Sequence, residues 1–340
     1  MALVTSRADE IAAFLHHIGW ATADRVNIAG DASARRYDRL TLPDGQRAVL
    51  MDAPPNKGED VRPFVTIAEH LRAHGLSAPE IYHCNSATGL LLIEDFGDAL
   101  FARLMAADPA NIQPLYTASI DVLIKLRQVP ILDLPVCDAT WLTDMLEPVF
   151  EWYAPDASRA MHTTFVHMFR PLAEQVATAD KNIMLRDYHA ENLLLLEDRG
   201  NHNRVGILDF QDAMLAHPAY DLVSLLQDAR RDVSSETEAE IMAYYLRQTD
   251  TPEEPFKTDY AILGLQRNLR ILGIFARLCL RDGKPQYLDK IPRVWGYIIR
   301  NLGHPALRPL APHVIDMLPE PTPSFLDQLK SKCPQAPPQL

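Results

Sequence analysis

The sequence predicts an α+β chain of two lobes: a small β-rich N-terminal lobe over residues 1–96 and a large helical C-terminal lobe over residues 97–320. Three observations carry that expectation. The first 96 residues alternate short strand-like runs and turns, with only two amphipathic helical stretches. From about residue 115 onward, apolar residues recur at helical spacing. One hairpin pattern at 192–210 interrupts those helices.

Taken in order, residues 6–20 read as a capped amphipathic helix. Ser6 is a cap, Asp9 stands three residues on, and Ile11, Phe14, Leu15 and Ile18 share one face. Strands follow at 26–29, 37–42 and 48–52, with the turn Pro43-Asp44-Gly45 between the second and third. Pro54-Pro55 ends that meander. Pro63 suits a helix's first turn, where its missing N–H costs nothing, and Phe64, Ile67, Ala68 and Leu71 form the apolar stripe up to Gly75. Strands at 80–83 and 90–94 complete the lobe, and the pattern changes near residues 95–98. Leu115, Ala118, Val122, Leu123 and Leu126 then make a long helical stripe, and helices are expected at about 141–153, 158–179, 235–248, 258–280 and 305–318. Residues 321–340 read as a Pro-rich C-terminal tail. No internal repeat is present.

Length and composition narrow the class. At roughly 150 residues per domain, 340 residues make two domains or one two-lobed unit. Apolar residues at 47% and charged residues at 23% are ordinary for a globular chain. A net charge of −12 argues against nucleic acid or an anionic membrane as partner. No apolar run is long enough to span a bilayer, and the start MALVTSRADEIAAF lacks the pattern of an export signal. Cys84, Cys137, Cys279 and Cys333 form no Cys-x-x-Cys pair, which suits free thiols in a reducing cytoplasm. His70 and His74 have ligand spacing on a helix but no third partner, so they read as a solvated face.

The chemistry concentrates in RDYHAEN at 186–192 and LDF at 208–210. Residues 192–197 and 204–210 pair as a hairpin around Asp198-Arg199-Gly200-Asn201, which folds Asn192 and Asp209 to one end. Two oxygen-bearing side chains there suit a hard cation such as magnesium, which takes few protein ligands and keeps water and phosphate oxygens as the rest. Asp187, on the loop entering that end, is placed to accept a proton from a substrate hydroxyl. The plain alternative is surface aspartates and a turn asparagine. The return strand that ends in Asp-Phe after a turn of suitable length favours the chemical one.

This loop resembles the catalytic loop of the protein-kinase-like fold, in its aminoglycoside phosphotransferase and choline kinase branch. Further strings resemble the sugar kinases that phosphorylate N-acetylmuramate and N-acetylglucosamine at the anomeric hydroxyl: GDASARRYDRL at 30–40, VLMDAPP at 49–55, PFVTIAEHLRAHGL at 63–76, LLIEDFGD at 91–98, LDFQDA at 208–213 and YDLVSLLQDAR at 220–230. The resemblance runs from about residue 8 to 320. It implies a two-lobed protein-kinase-like α+β fold, ATP and Mg²⁺ as cofactors, and a small amino sugar as acceptor in cell-wall recycling. By the same match, Asp187 is the catalytic base, and Asn192 and Asp209 are the metal ligands. Asp221 is either a structural aspartate tying the catalytic loop to the next helix or that helix's N-cap. Gly30, Ser33, Arg35 and Arg36 belong to the loop over the nucleotide phosphates. Glu94 and Phe96 belong to the hinge whose backbone meets the adenine. Asp212 and His189 are acceptor contacts, with His189 equally readable as a buried core histidine.

Two departures stand out. Leu185 replaces the usual histidine before the catalytic aspartate, and VLMDA lacks the usual phosphate-binding lysine. Arg35, Arg36, Arg39 and Lys57 are the cations near enough to replace that lysine, and Glu69, on the helix that normally carries its partner, has no clear role without it. The missing lysine favours the sugar-kinase branch. The alternatives are an aminoglycoside- or choline-type kinase, for which the acidic charge would suit a cationic acceptor, a non-catalytic nucleotide-binding pseudokinase, and a purely structural adaptor.

Overall fold

A computed structural model describes residues 6–30 and 34–334. By internal contacts the chain divides into two compact units: Met1–Asn111 with Glu191–Asp212, and Ile112–Ala190 with Ala213–Leu340. The hairpin that the sequence places among the helices of the second lobe thus packs with the first unit.

In the first unit, α1 (Arg7–His17) starts in a capping box. The Ser6 hydroxyl accepts from the Asp9 N–H at 3.2 Å, and the Asp9 carboxylate accepts from the Ser6 N–H at 3.1 Å. Strands β1 (Asp24–Gly30), β2 (Arg36–Thr41) and β3 (Arg47–Asp52) lead to α2 (Arg62–Ala73), then to β4 (Ile81–Asn85) and β5 (Leu90–Ile93). They form one antiparallel sheet in the order β1-β2-β3-β5-β4. Side chains alternate across a sheet, and one face, with Leu40, Ala48, Leu50, Leu90 and Leu92, packs against Ile11, Phe14 and Trp20. The register pairs Tyr37 with Met51, Arg39 with Val49, and Met51 with Leu91, so these residues share the opposite face. The α2 stripe Phe64, Ile67, Ala68 and Leu71 is buried as expected, and Gly75 beyond its end has φ +79°, a left-handed turn that favours glycine.

After α3 (Phe101–Ala107), the second unit begins with α4 (Ile112–Leu126), whose stripe Leu115, Ala118, Val122, Leu123 and Leu126 is buried. The helix expected over 141–153 is two pieces, α5 (Ala139–Asp144) and a π-helical turn Val149–Tyr153, with a turn at 145–146 between them; Pro148 caps the second piece, where its missing N–H costs little. Then come α6 (Arg159–Thr178), β6 (Asn182–Met184), the hairpin strands β7 (Leu193–Leu195) and β8 (Val205–Ile207) that belong to the first unit, and β9 (Met214–Ala216). The β6–β9 pair, too short to show a period, is not signalled in the sequence. Helices α7 (Ala219–Leu226), α8 (Ser235–Thr249), α9 (Glu253–Leu280), α10 (Ile291–Leu302) and α11 (Ala311–Met317) complete the bundle. Sequence reading misses α10 because Pro292 and Gly296 interrupt its pattern. Pro292 lies in the first turn, where no hydrogen bond is lost, and Ile291, Val294, Ile298 and Leu302 are buried. The Pro-rich tail also needs correcting. Thr322 caps a helix α12 (Pro323–Ser331), Pro323 occupies its first turn, and Leu329 is buried. Among the described residues no helix is long and apolar enough to cross a membrane.

Candidate active site

The first unit carries the candidate metal pair. Strands β7 and β8 are shorter than the expected 192–197 and 204–210, with Leu193 opposite Ile207 and Leu195 opposite Val205. Asn192 and Asp209 flank them, and the Leu208 N–H donates to the Asn192 carbonyl at 2.9 Å. The Asn192 Nδ2 donates to Asp209 Oδ2 at 3.2 Å, so carboxamide and carboxylate converge at the same end. Gln211 Nε2 donates to the other carboxylate oxygen at 2.8 Å. Asp209 itself has φ +58°, an uncommon conformation for a residue with a side chain.

The hairpin is tied to the β-rich core by contacts that no local pattern signals. The Ile207 N–H donates to the Ser77 carbonyl at 2.8 Å and the Leu195 N–H to the Ala99 carbonyl at 2.9 Å. Arg199 pairs with Glu94 and donates to Ser77 Oγ at 3.0 Å. Phe64 and Phe210 stack with ring centres 4.9 Å apart. A Cβ on Gly206 would stand 2.7 Å from the Phe96 ring, so glycine allows this close approach.

The nucleotide-side residues separate. Gly30 ends β1 opposite Arg36, and Ser33 lies outside the described residues. Arg35 Nε donates to Glu59 Oε2 at 2.6 Å, and both side chains are largely buried. Arg36 takes the other face of the sheet. It pairs in register with Asp52, on the sheet face that packs on α1, and lines an open groove with Arg25, Asn27 and Asp38. It therefore lies across the sheet from Tyr37 and Met51. Arg39 is committed to Asp95, to Asp98 and to the Gly97 carbonyl. Glu94 spends its N–H on the Glu80 carbonyl at 2.8 Å and its carboxylate on Arg199 and Arg72. The Phe96 ring lies under the Arg199 guanidinium. Asp212 acts electrostatically on Arg35, and Asp209 on the Tyr37 hydroxyl.

The donor chemistry fits magnesium. Asn192 offers a carboxamide oxygen and Asp209 a carboxylate, both hard donors, and the two side chains meet. Glu59 and Asp212 act on the Arg35 guanidinium, and Asp209 acts on the neighbouring Tyr37 hydroxyl. Asn192 and Asp209 are the residues that would hold the ion.

The second unit carries the candidate base. Asp187 follows Arg186, whose φ is +73°, and its N–H donates to the Leu185 carbonyl at 2.9 Å. Asp221 lies inside the first turn of α7, and Pro218 holds the cap position. Its carboxylate accepts from the N–H of Leu185 at 2.7 Å and of Arg186 at 2.9 Å, so it ties down the loop and is not a helix cap. Burial pushes that carboxyl up to about 7 despite both hydrogen bonds. On the other side of Asp187, the Tyr188 hydroxyl donates to the Ser119 carbonyl at 2.8 Å.

His189 takes the buried of its two expected placements. It is 3% exposed, and its Nε2 meets Arg230 Nη1 at 3.1 Å, as a core histidine would be placed. Burial first, then Arg230 and Arg267, holds the imidazole well below its usual range, and so neutral. Arg267, which the sequence does not single out, is buried, donates to Ser224 Oγ at 2.7 Å, and feels the charge of Asp187.

A family model described as "Phosphotransferase enzyme family" matches residues 24–256. An N-acetylmuramate/N-acetylglucosamine kinase of Caulobacter vibrioides is 38% identical, over 91% of this chain and 96% of that protein. Its namesake in Pseudomonas putida is 32% identical, over 81% and 82%. Among solved structures, a choline kinase from Streptococcus pneumoniae superimposes with a TM-score of 0.62 at 14% identity, covering 87% of this chain and all of that one. An aminoglycoside phosphotransferase in ternary complex with ADP and hygromycin B reaches 0.60 at 11% identity, covering 87% and 99%. Identities this low speak for the fold alone, and the fold they share is the protein-kinase-like α+β class expected from the sequence.

Proposed function

The chain belongs to the phosphotransferase enzyme family and is an ATP-dependent phosphotransferase, and from that premise we propose that it phosphorylates the anomeric hydroxyl of N-acetylmuramate and N-acetylglucosamine. The product, a sugar 1-phosphate, fits a cytoplasmic role in cell-wall recycling. The observation that carries the reading is the convergence of Asn192 and Asp209 at 3.2 Å. The kinase names of relatives at 30% identity and above supply the acceptor.

Asp187 takes the proton of the anomeric hydroxyl as its oxygen bonds to the γ-phosphorus. The bond from that phosphorus to the β-phosphate oxygen breaks, and ADP leaves. An anomeric hydroxyl is more acidic than an ordinary alcohol, so a carboxylate suffices as base. Magnesium, when bound, neutralises phosphate charge, and Asn192 and Asp209 would hold it. Asp221 holds the backbone just before Asp187 and the Ser119 carbonyl holds the Tyr188 side chain just after it, which positions the base. Asp212 is the remaining candidate acceptor contact. Gly30, Ser33 and Arg35 serve the nucleotide phosphates, and the backbone around Glu94 and Phe96 meets the adenine.

Phosphorus NMR of the product from ATP and a panel of amino sugars tests the proposal. A sugar 1-phosphate is expected, and a methyl glycoside blocked at the anomeric oxygen should stay unmodified. Phosphorylation of the blocked glycoside would replace this reading with that of an aminoglycoside- or choline-type kinase. Asp187→Asn should lower turnover at least about a hundredfold.

A further inference from the structure

A nucleotide's β- and γ-phosphates need a fixed cation besides the metal, and the strand that ordinarily supplies one does not do so here. On the sheet face away from α1, β3 offers Val49 and Met51. Arg39, on the same face of β2, is held by Asp95 and Asp98. Arg36 lies on the other face. Lys57 is exposed on a short turn, and Glu69 is exposed on α2.

Arg35 is different. It immediately precedes β2, two residues before Tyr37, and strand alternation brings it to the face of Tyr37 and Met51. Its Nε donates to Glu59 Oε2 at 2.6 Å, while Glu59 Oε1 accepts from the Ala34 N–H at 3.1 Å. Glu59 thus grips both the side chain and the backbone that carries it. The two side chains are 14% and 13% exposed, so the pair is ordered and weakly screened. Arg35 also hydrogen-bonds the Tyr37 hydroxyl and feels Asp212, while Asp209 acts on that same hydroxyl. This connects the guanidinium to the metal pair within one unit.

The geometry points to Arg35 as the fixed cation for the nucleotide's β- and γ-phosphates, with Glu59, from the loop between β3 and α2, as its positioning carboxylate. The pair takes the place of the strand lysine and helix glutamate, neither of which is available here. A guanidinium presents its donors in a rigid planar fork, a shape suited to phosphate contact. The inference rests on the proposed kinase reading.

Calorimetry with Mg-ADP and with adenosine tests it without turnover, with thermal melts to verify folding. Arg35→Met is expected to weaken Mg-ADP about ten- to a hundredfold and to leave adenosine binding unchanged. Arg35→Lys should recover part of that loss. Glu59→Gln should weaken Mg-ADP by a smaller factor, and adding it to Arg35→Met should cost little more, because both act through one contact. Unchanged Mg-ADP binding in Arg35→Met overturns the inference, as does an equal loss for adenosine and Mg-ADP. A wild-type chain that binds Mg-ADP through Arg35 yet phosphorylates no amino sugar would sink the functional proposal and leave this assignment standing.

Discussion

Replacing Asp221 by asparagine separates loop positioning from stability. The carboxylate is 4% exposed and accepts two backbone N–H groups, at 2.7 and 2.9 Å, from the residues just before Asp187. Asparagine has one acceptor oxygen, so one buried N–H is left facing an NH₂, at a cost of about 1–3 kcal/mol. The pH dependence gives the second half of the signature. Burial raises the folded carboxyl from its ordinary 3.8 to about 7, so the folded state holds this proton more tightly than the unfolded chain. The resulting stabilisation is complete below the unfolded value and is lost as pH rises through about 7, and the gap is worth about 4 kcal/mol. The substituted carboxamide cannot titrate. Urea unfolding should therefore find Asp221→Asn less stable at pH 5, with the deficit shrinking toward pH 8. Turnover should fall about a hundredfold at both pH values, since a loop shifted by about 1 Å misplaces the base. A variant with wild-type turnover, or with the wild-type dependence of stability on pH, would refute the argument that this buried carboxylate holds the loop.

Other expectations concern the first unit. Asp209→Asn should abolish the response of turnover to magnesium, measured by titration at fixed ATP. Gln211→Leu removes only the 2.8 Å hydrogen bond that orients Asp209, and should weaken apparent magnesium affinity about ten- to a hundredfold. Gly206→Ala puts a methyl group 2.7 Å from the Phe96 ring and should destabilise by about 1–3 kcal/mol, read as a lower urea midpoint. In the second unit, His189, buried and neutral, should show no imidazole titration by NMR between pH 6 and 8.

Much was legible in the chain because it is local. Ser6 with Asp9, the stripe from Phe64 to Leu71 and the long stripe of α4 follow from spacings of three and four residues. Asn192 and Asp209 follow from a turn between two short apolar runs, since antiparallel pairing brings the outer ends together. The contacts that hold the site in place are not local. Arg199 meets Glu94 from 105 residues away, and Ser77 donates to the Asn203 carbonyl across 126. Glu59 and Arg267 look like ordinary charges until their partners, Arg35 and Ser224, are known.

Periodicity and turn chemistry were enough for the α+β class and for the convergence of Asn192 and Asp209, because those properties are set by neighbours along the chain. They could not say which arginine is held by which carboxylate, which unit the hairpin joins, or that His189 is buried. Those outcomes depend on packing between segments distant in sequence, where burial and a competing partner assign each charge its role.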